Sequence, residues 1–339
     1  MSGSRRRVVL TSRGLRKLWP VLAALVVLAL ALGAIACGGD DDGGGGGGEG
    51  ETASVDVGTL PIASAAPLFL GREKGFFRQE GIEVRPQLTE GGAEVAAGVQ
   101  SGSFDFGYAG VIPIVIAKAQ GLPIQIVSTT DDQLKDPEDA DVITVARGDS
   151  GIRTAKDLEG ATVGVNSLKG VAEVVIRASI DKDGGDPSNV ELLEVPFPEM
   201  VAALESERID AAFIPEPFLL QAVQGGARVI ENASYQAVDP EGFELGIYFA
   251  SDQYIEENSD VVDRFVRASD RSAEYAAAHP DEVRKVITTY TEIPADLVRK
   301  IKLPRWDPEL RRESVELQAG YTKKYGIIEE EPDLDELIR

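Results

Sequence analysis

From Val55 onward, short apolar runs alternate with stretches that repeat near every third or fourth residue. Residues 55–60, 82–88, 104–108, 124–129 and 142–146 are apolar or alternating runs of strand length. Between them the spacing predicts helices over 67–79, 93–101 and 111–119, the first opened by Pro67 and stopped by Gly81. The cycle restarts with a helical turn at 154–158. Strands at 162–165, 190–195, 211–214 and 228–230 then alternate with helices at 171–182, 199–207 and 217–224. Such alternation predicts parallel sheets with right-handed crossovers, here two, separated near residue 146. After a last strand at 247–250 the chain turns helical over 260–279, 281–291 and 295–301. In the first of these, Val261, Val262, Phe265, Val266, Ser269 and Ala273 form one apolar stripe. These helices are expected to pack outside one α/β domain.

The first fifty residues follow another pattern. Residues 5–17 are basic, 21–36 are apolar and uncharged, and Ala34-Ile35-Ala36 precedes the only cysteine, Cys37. This succession predicts a cleaved export signal over 1–36. It resembles a bacterial lipoprotein signal, which implies a lipidated Cys37 as the new N-terminus. The apolar run of 16 residues is short of the roughly 20 needed to cross a bilayer as an uncleaved anchor. Residues 37–51 are almost only Gly, Asp and Glu, a composition that cannot bury apolar surface and predicts a tether.

Charge and composition then remove whole classes of function. The 339 residues carry 34 Lys and Arg against 57 Asp and Glu. Six of those cations, Arg5 to Lys17, precede the first acid, Asp40, so the rest of the chain is more acidic still. A chain of that charge is no general nucleic-acid binder, since phosphate binding needs a basic face. One His and one Cys leave no internal disulfide, no Cys–His nucleophile and no zinc site. Gly148-Asp149-Ser150-Gly151 copies the surroundings of a serine-protease nucleophile, but the lone His279 lies in the helical tail, so no base is at hand. Asp181–Asp186 resembles a calcium loop with Asp186 where Gly is required. No Gly-x4-Gly-Lys-Ser/Thr loop is present.

One order of motifs does carry a resemblance. "LGREKGFFRQEGIEV", then "SGSFDFGYAG", "DSGIRTAKDLEGATVGVNS" at 149–167 and "VPFPEMVAALESERIDAAFIPEPF" at 195–218 are similar to substrate-binding proteins of ATP-driven importers. The group is the nitrate/sulfonate/taurine one, which shares its fold with thiamine-pyrimidine-precursor proteins. The resemblance implies a type II periplasmic-binding-protein fold: two α/β domains joined by crossing strands, with a solute between them. Mapped here, the crossings would be 142–146 and 247–250. One domain would be 52–142 plus 250–339, the other 147–246. It further implies a non-enzymatic, monomeric protein outside the cytoplasmic membrane, working without a cofactor beside a permease and its ATPase.

In parallel sheets, ligands sit beyond the carboxyl ends of the strands, where helix N-termini offer unpaired N–H groups. The turns at such ends supply Ser64, Ala65, Ala66, Gly91, Gly92, Tyr108, Ala109, Gly110, Asn166, Ser167, Lys169, Glu216 and Phe218 as candidate ligand-binding residues. Most are small, allowing close approach to the backbone. Lys169 suits a sulfonate, nitrate or carboxylate. Glu216 and Glu94 suit an amine or aminopyrimidine, and Tyr108 and Phe218 offer rings to stack on. The leading expectation is a sulfonate-, nitrate- or taurine-like solute; the alternative is a pyrimidine precursor or similar heterocycle. A remoter alternative is an enzyme like the pyrimidine-precursor synthases of the same fold, which need His and a Cys-rich segment that 52–278 lacks.

Overall fold

The computed structural model describes residues 52–133, 139–230 and 232–339. The export signal, the tether and Cys37 lie outside the described residues.

Two mixed sheets form the frame. The six-stranded sheet has the order β11-β4-β10-β3-β1-β2, from β1 (Ala53–Thr59), β2 (Ile82–Leu88), β3 (Phe106–Gly110), β4 (Ile124–Gln133), β10 (Phe243–Ser251) and β11 (Arg305–Trp306). The five-stranded sheet has the order β7-β6-β8-β5-β9, from β5 (Val142–Ala146), β6 (Thr162–Val165), β7 (Glu191–Glu194), β8 (Ala211–Pro215) and β9 (Arg228–Val229). The helices that frame the site and its surroundings are α1 (Ala66–Lys74), α2 (Gly92–Gln100), α3 (Val111–Ala119), α4 (Val171–Lys182), α5 (Phe197–Glu205), α6 (Phe218–Gln224), α7 (Ser259–Ala278) and α8 (Arg312–Lys324).

Local chemistry explains the edges. Gly75, at φ 77°, stops α1, and the chain resumes as a short helix at Phe76–Gln79, so the expected single helix over 67–79 is two. In α7, Val262, Phe265, Ala268, Ser269, Ser272, Ala273 and Ala276 are buried, while Val261 and Val266 of the predicted stripe are only half-buried, so the buried face is shifted toward the small residues. Those small residues let α1 approach closely; a Cβ on Gly71 would meet the Ser272 side chain.

The purely parallel sheets expected from alternation are corrected at the strands reached from the other sheet. β1 pairs β2 and β3 in parallel, and β6 pairs β7 and β8 in parallel. β10 is antiparallel to both β3 and β4, and β5 is antiparallel to β8 and β9. The geometry has a simple cause. A strand arriving from the other sheet enters at the end that faces it, and so runs against strands whose carboxyl ends face the same way. β5 pairs only within the five-stranded sheet and β10 only within the six-stranded one. The chain therefore passes from one sheet to the other between Gln133 and Val142 and returns between Val229 and Phe243.

Candidate functional site

A cavity of about 550 Å³, counted to its open mouth, lies where the two sheets face each other. From the carboxyl ends of the parallel strands come Leu60, Ile62 and Ser64 after β1, Gly92 after β2, Ala109 and Gly110 closing β3, and Asn166 and Ser167 after β6. Phe213 and Pro215 of β8 and Phe197 at the start of α5 complete that set. Val142, Leu245 and Gly246 come instead from the beginnings of the antiparallel strands, and Tyr235 from the returning connection. Of the eighteen described residues that line the cavity, none carries a charge.

The starts of α2, α3 and α4 converge here. Gly91 and Gly110 cap α2 and α3 in extended conformation, and Gly170 caps α4. Small residues are required by the packing: a Cβ at Gly92 would press on Pro113 and Ala109, and one at Gly110 would meet Val171. Across the mouth, a Cβ at Gly91 would stand 3.2 Å from that of Ser167 and 3.4 Å from the Asn166 carbonyl. The two sides of the cavity thus approach closely at this rim.

Tyr108 is the best-anchored polar group in the wall. Its hydroxyl donates to Oδ1 of Asp131 at 2.7 Å, and Thr130 Oγ1 donates to the same oxygen at 2.8 Å. Asp131 is fully buried, and its Oδ2 has no hydrogen-bond partner. Burial drives its carboxyl well above the ordinary range, against the two donated bonds, and nearby Asp141 and Glu244 push the same way. Burial also raises the Tyr108 phenol. Its proton therefore stays on oxygen at neutral pH and is committed to Asp131, and the Ser64 side chain hydrogen-bonds the same phenol. A Cβ at Gly246 would overlap both Asp131 Oδ1 and the Tyr108 hydroxyl.

Of the candidates named from the sequence, Ser64, Gly92, Tyr108, Ala109, Gly110, Asn166 and Ser167 line the cavity. The remaining candidates lie elsewhere. Ala65, Ala66 and Phe218 are buried in the apolar core, and Gly91 caps α2 at the rim. Lys169 is exposed with left-handed φ 53°, and its N–H donates to Glu173 Oε2 at 2.9 Å. Glu94 is exposed and accepts from the Glu90 N–H at 2.9 Å.

Glu216 is buried behind the cavity. Its carboxylate accepts from the N–H of Leu220 at 3.1 Å and of Lys302 at 3.2 Å. Burial raises it to about 7 despite those bonds, with Asp141 adding to the rise and Lys302 opposing it. Glu244, at the head of β10, is likewise raised to about 7 by burial, against bonds from the Arg311 N–H and the Thr129 hydroxyl. Among the described residues, no group of three or more His, Cys, Asp or Glu is placed to hold a metal ion.

The residues that sequence reasoning missed are mostly the apolar walls and the starts of the antiparallel strands. Phe213 and Pro215 stood at a predicted strand end and were within reach of that rule. Leu245 and Gly246 were not, because the rule of carboxyl ends reverses for a strand that enters from the cleft.

Comparison with known proteins agrees with this architecture. A family described as "NMT1/THI5 like" matches residues 63–283. A Bacillus subtilis protein assigned to aliphatic sulfonate binding is 25% identical over 244 residues, 70% of each chain. The formylaminopyrimidine-binding protein of Halalkalibacterium halodurans is 26% identical over 245 residues, again 70% of each. Among solved structures, the alkanesulfonate-binding protein SsuA of Xanthomonas axonopodis pv. citri, bound to MOPS, superposes with a TM-score of 0.68. At 17% identity, over 84% of this chain and 96% of that one, it shows a shared fold.

Proposed function

The chain belongs to the NMT1/THI5-like family, and from that premise we propose that it is the extracytoplasmic solute-binding component of an ABC importer. It is a substrate-binding protein and not an enzyme, as its relatives are. In this reading, residues 52–142 with 250–339 form one lobe and 147–246 the other, save that the start of β10 pairs within the six-stranded sheet of the first. They close about the crossings as a hinge, and the enclosed solute passes to a permease and its ATPase. Cleavage before Cys37 and lipidation of that residue would hold a monomer on the outer face of the bacterial cytoplasmic membrane, with 38–51 as tether. Lost uptake on removing the chain, with the permease intact, tests this role; unchanged uptake of every solute the permease carries would contradict it.

The solute that fits best is small, uncharged and ring-bearing, such as an aminopyrimidine. One observation supports this: the cavity walls hold hydroxyls, an amide and aromatic rings but no charged group. An anion leaving water for such a site needs a paired charge or a full set of donors. Lys169, on which the oxyanion reading leaned, is outside. A sulfonate or nitrate remains the second reading, favoured by the three helix starts that converge on the cavity. The relatives bind members of both classes, so their likeness does not choose between them.

A further inference from the structure

Helix α8 belongs to the tail expected to pack outside one domain, yet it lies across the junction of the two lobes. At its beginning, the Arg311 N–H donates to Glu244 Oε2 at 2.9 Å. The Arg311 guanidinium bonds the Asp239 carboxylate at 3.2 Å and the Gly242 carbonyl. Further along, Ser314 Oγ accepts from the Glu244 N–H at 2.9 Å, and Gln318 Nε2 donates to the Glu244 carbonyl at 2.7 Å. Ser314 and Gln318 are fully buried, and Glu244 nearly so. The returning crossing is thus held by Arg311 at Asp239 and Gly242, and β10, which it enters, is held at Glu244 by both backbone groups and the side chain. At the far end of α8, Lys324 Nζ pairs with Asp181 of α4 at 2.6 Å, and the Tyr325 hydroxyl donates to the same carboxylate at 3.3 Å. Between these ends, Val315 and Ala319 are buried in one apolar cluster with Val174, Val175 and Ala178 of α4 and Ile112, Val115 and Ile116 of α3.

We propose that α8 is a third connection between the lobes, a strap that grips the returning crossing at one end and α4 at the other and so fixes the angle between them. Two covalent crossings alone would permit rotation about the line joining them; a helix bound to one crossing and to both lobes removes that freedom. Release of the Lys324–Asp181 grip then becomes part of opening. This rests on the reading that two lobes enclose the solute, but its test needs no solute, so its failure would leave solute capture standing.

The test is a distance between spin labels at Leu88→Cys and Leu168→Cys, both exposed and one on each lobe, in the full chain carrying Cys37→Ser. Lys324→Asp and Asp181→Lys are measured singly and together. The pair is partly exposed, so neither change threatens the fold. The strap predicts one narrow distance in the parent and a longer population raised roughly fivefold in each single variant. The exchanged pair should restore the narrow distance. Gln318→Leu, which loosens α8 from the start of β10 where the crossing ends, should broaden it too. An unchanged distribution in both single variants, or broadening that the exchanged pair leaves in place, overturns the proposal.

Discussion

The cavity wall and the junction just behind it are built on opposite principles. The wall has eighteen residues and no charge. The junction holds Asp131, Asp132, Asp141, Glu216, Asp239 and Glu244, all buried, with Arg305 and Arg311 reaching in from the tail. The contrast shows where charge is tolerable. At the junction, backbone N–H groups, hydroxyls and two arginines are fixed in place to bond the carboxylates. A cavity that must empty and fill has no such permanent partners. The carboxyls are therefore kept one layer back, where Asp131 orients Tyr108 from behind the wall.

The most demanding way to break this contrast is to change pH. The carboxyls of Glu216 and Glu244 stand near 7 in the folded chain, above the usual value in an unfolded one. Folding therefore takes up protons between those values. The stability these groups contribute is full below about 4.5 and is lost as pH rises through about 7. For Glu216 the loss is about 3 kcal/mol. Asp141 and Lys302 face that group, while Asp132 and Arg311 face Glu244. Thermal unfolding from pH 5 to 8 should show the midpoint falling in the parent and falling less in Glu216→Gln; parallel curves would remove the junction's titration from the account.

A smaller effect comes from crowding the boundary between the two regions. Gly246→Ala places a Cβ against Asp131 and Tyr108 and should cost about 2 kcal/mol in denaturant unfolding. Next is Tyr108→Phe, which strips one of the two donors from a buried carboxyl. Its expected cost is about 1.5 kcal/mol, with weakened solute binding. The smallest is Lys169→Ala, expected within about 0.5 kcal/mol of the parent and without effect on binding, because that side chain is exposed. A large loss of affinity in this last variant would draw a cation back into the site.

How much of this was legible in the sequence depends on whether local or distant partners decide. The helix at Val111–Ala119 and the strand at Thr162–Val165 have the edges that apolar spacing predicts, because Gly110 and Gly160 punctuate them locally. The polar run Ser128–Gln133 reads as the end of a strand, yet β4 continues through it. Its hydroxyls and carboxyls are bonded by Gly246, Glu244, Tyr108 and Arg305, all distant in sequence. Glu244 likewise interrupts an apolar pattern and hid the first residues of β10. At the site, the small residues of the turns were readable because strand ends locate them. The directions of Lys169 and Glu216 were not, since a left-handed backbone turns one outward and a tail residue binds the other.

The central claim is that an uncharged cleft selects an uncharged solute, and thermal unfolding against a solute panel tests it most directly. Residues 52–339, which carry both sheets, serve as the sample. An aminopyrimidine and riboflavin stand on one side, taurine, alkanesulfonates and nitrate on the other. A bound solute at 100 times its Kd should add about 2.7 kcal/mol, a rise of a few degrees. An uncharged cleft predicts that rise with a ring-bearing neutral solute, reduced in Tyr108→Phe, and none with the anions. A rise with a sulfonate or nitrate, unaltered in Tyr108→Phe, would contradict it.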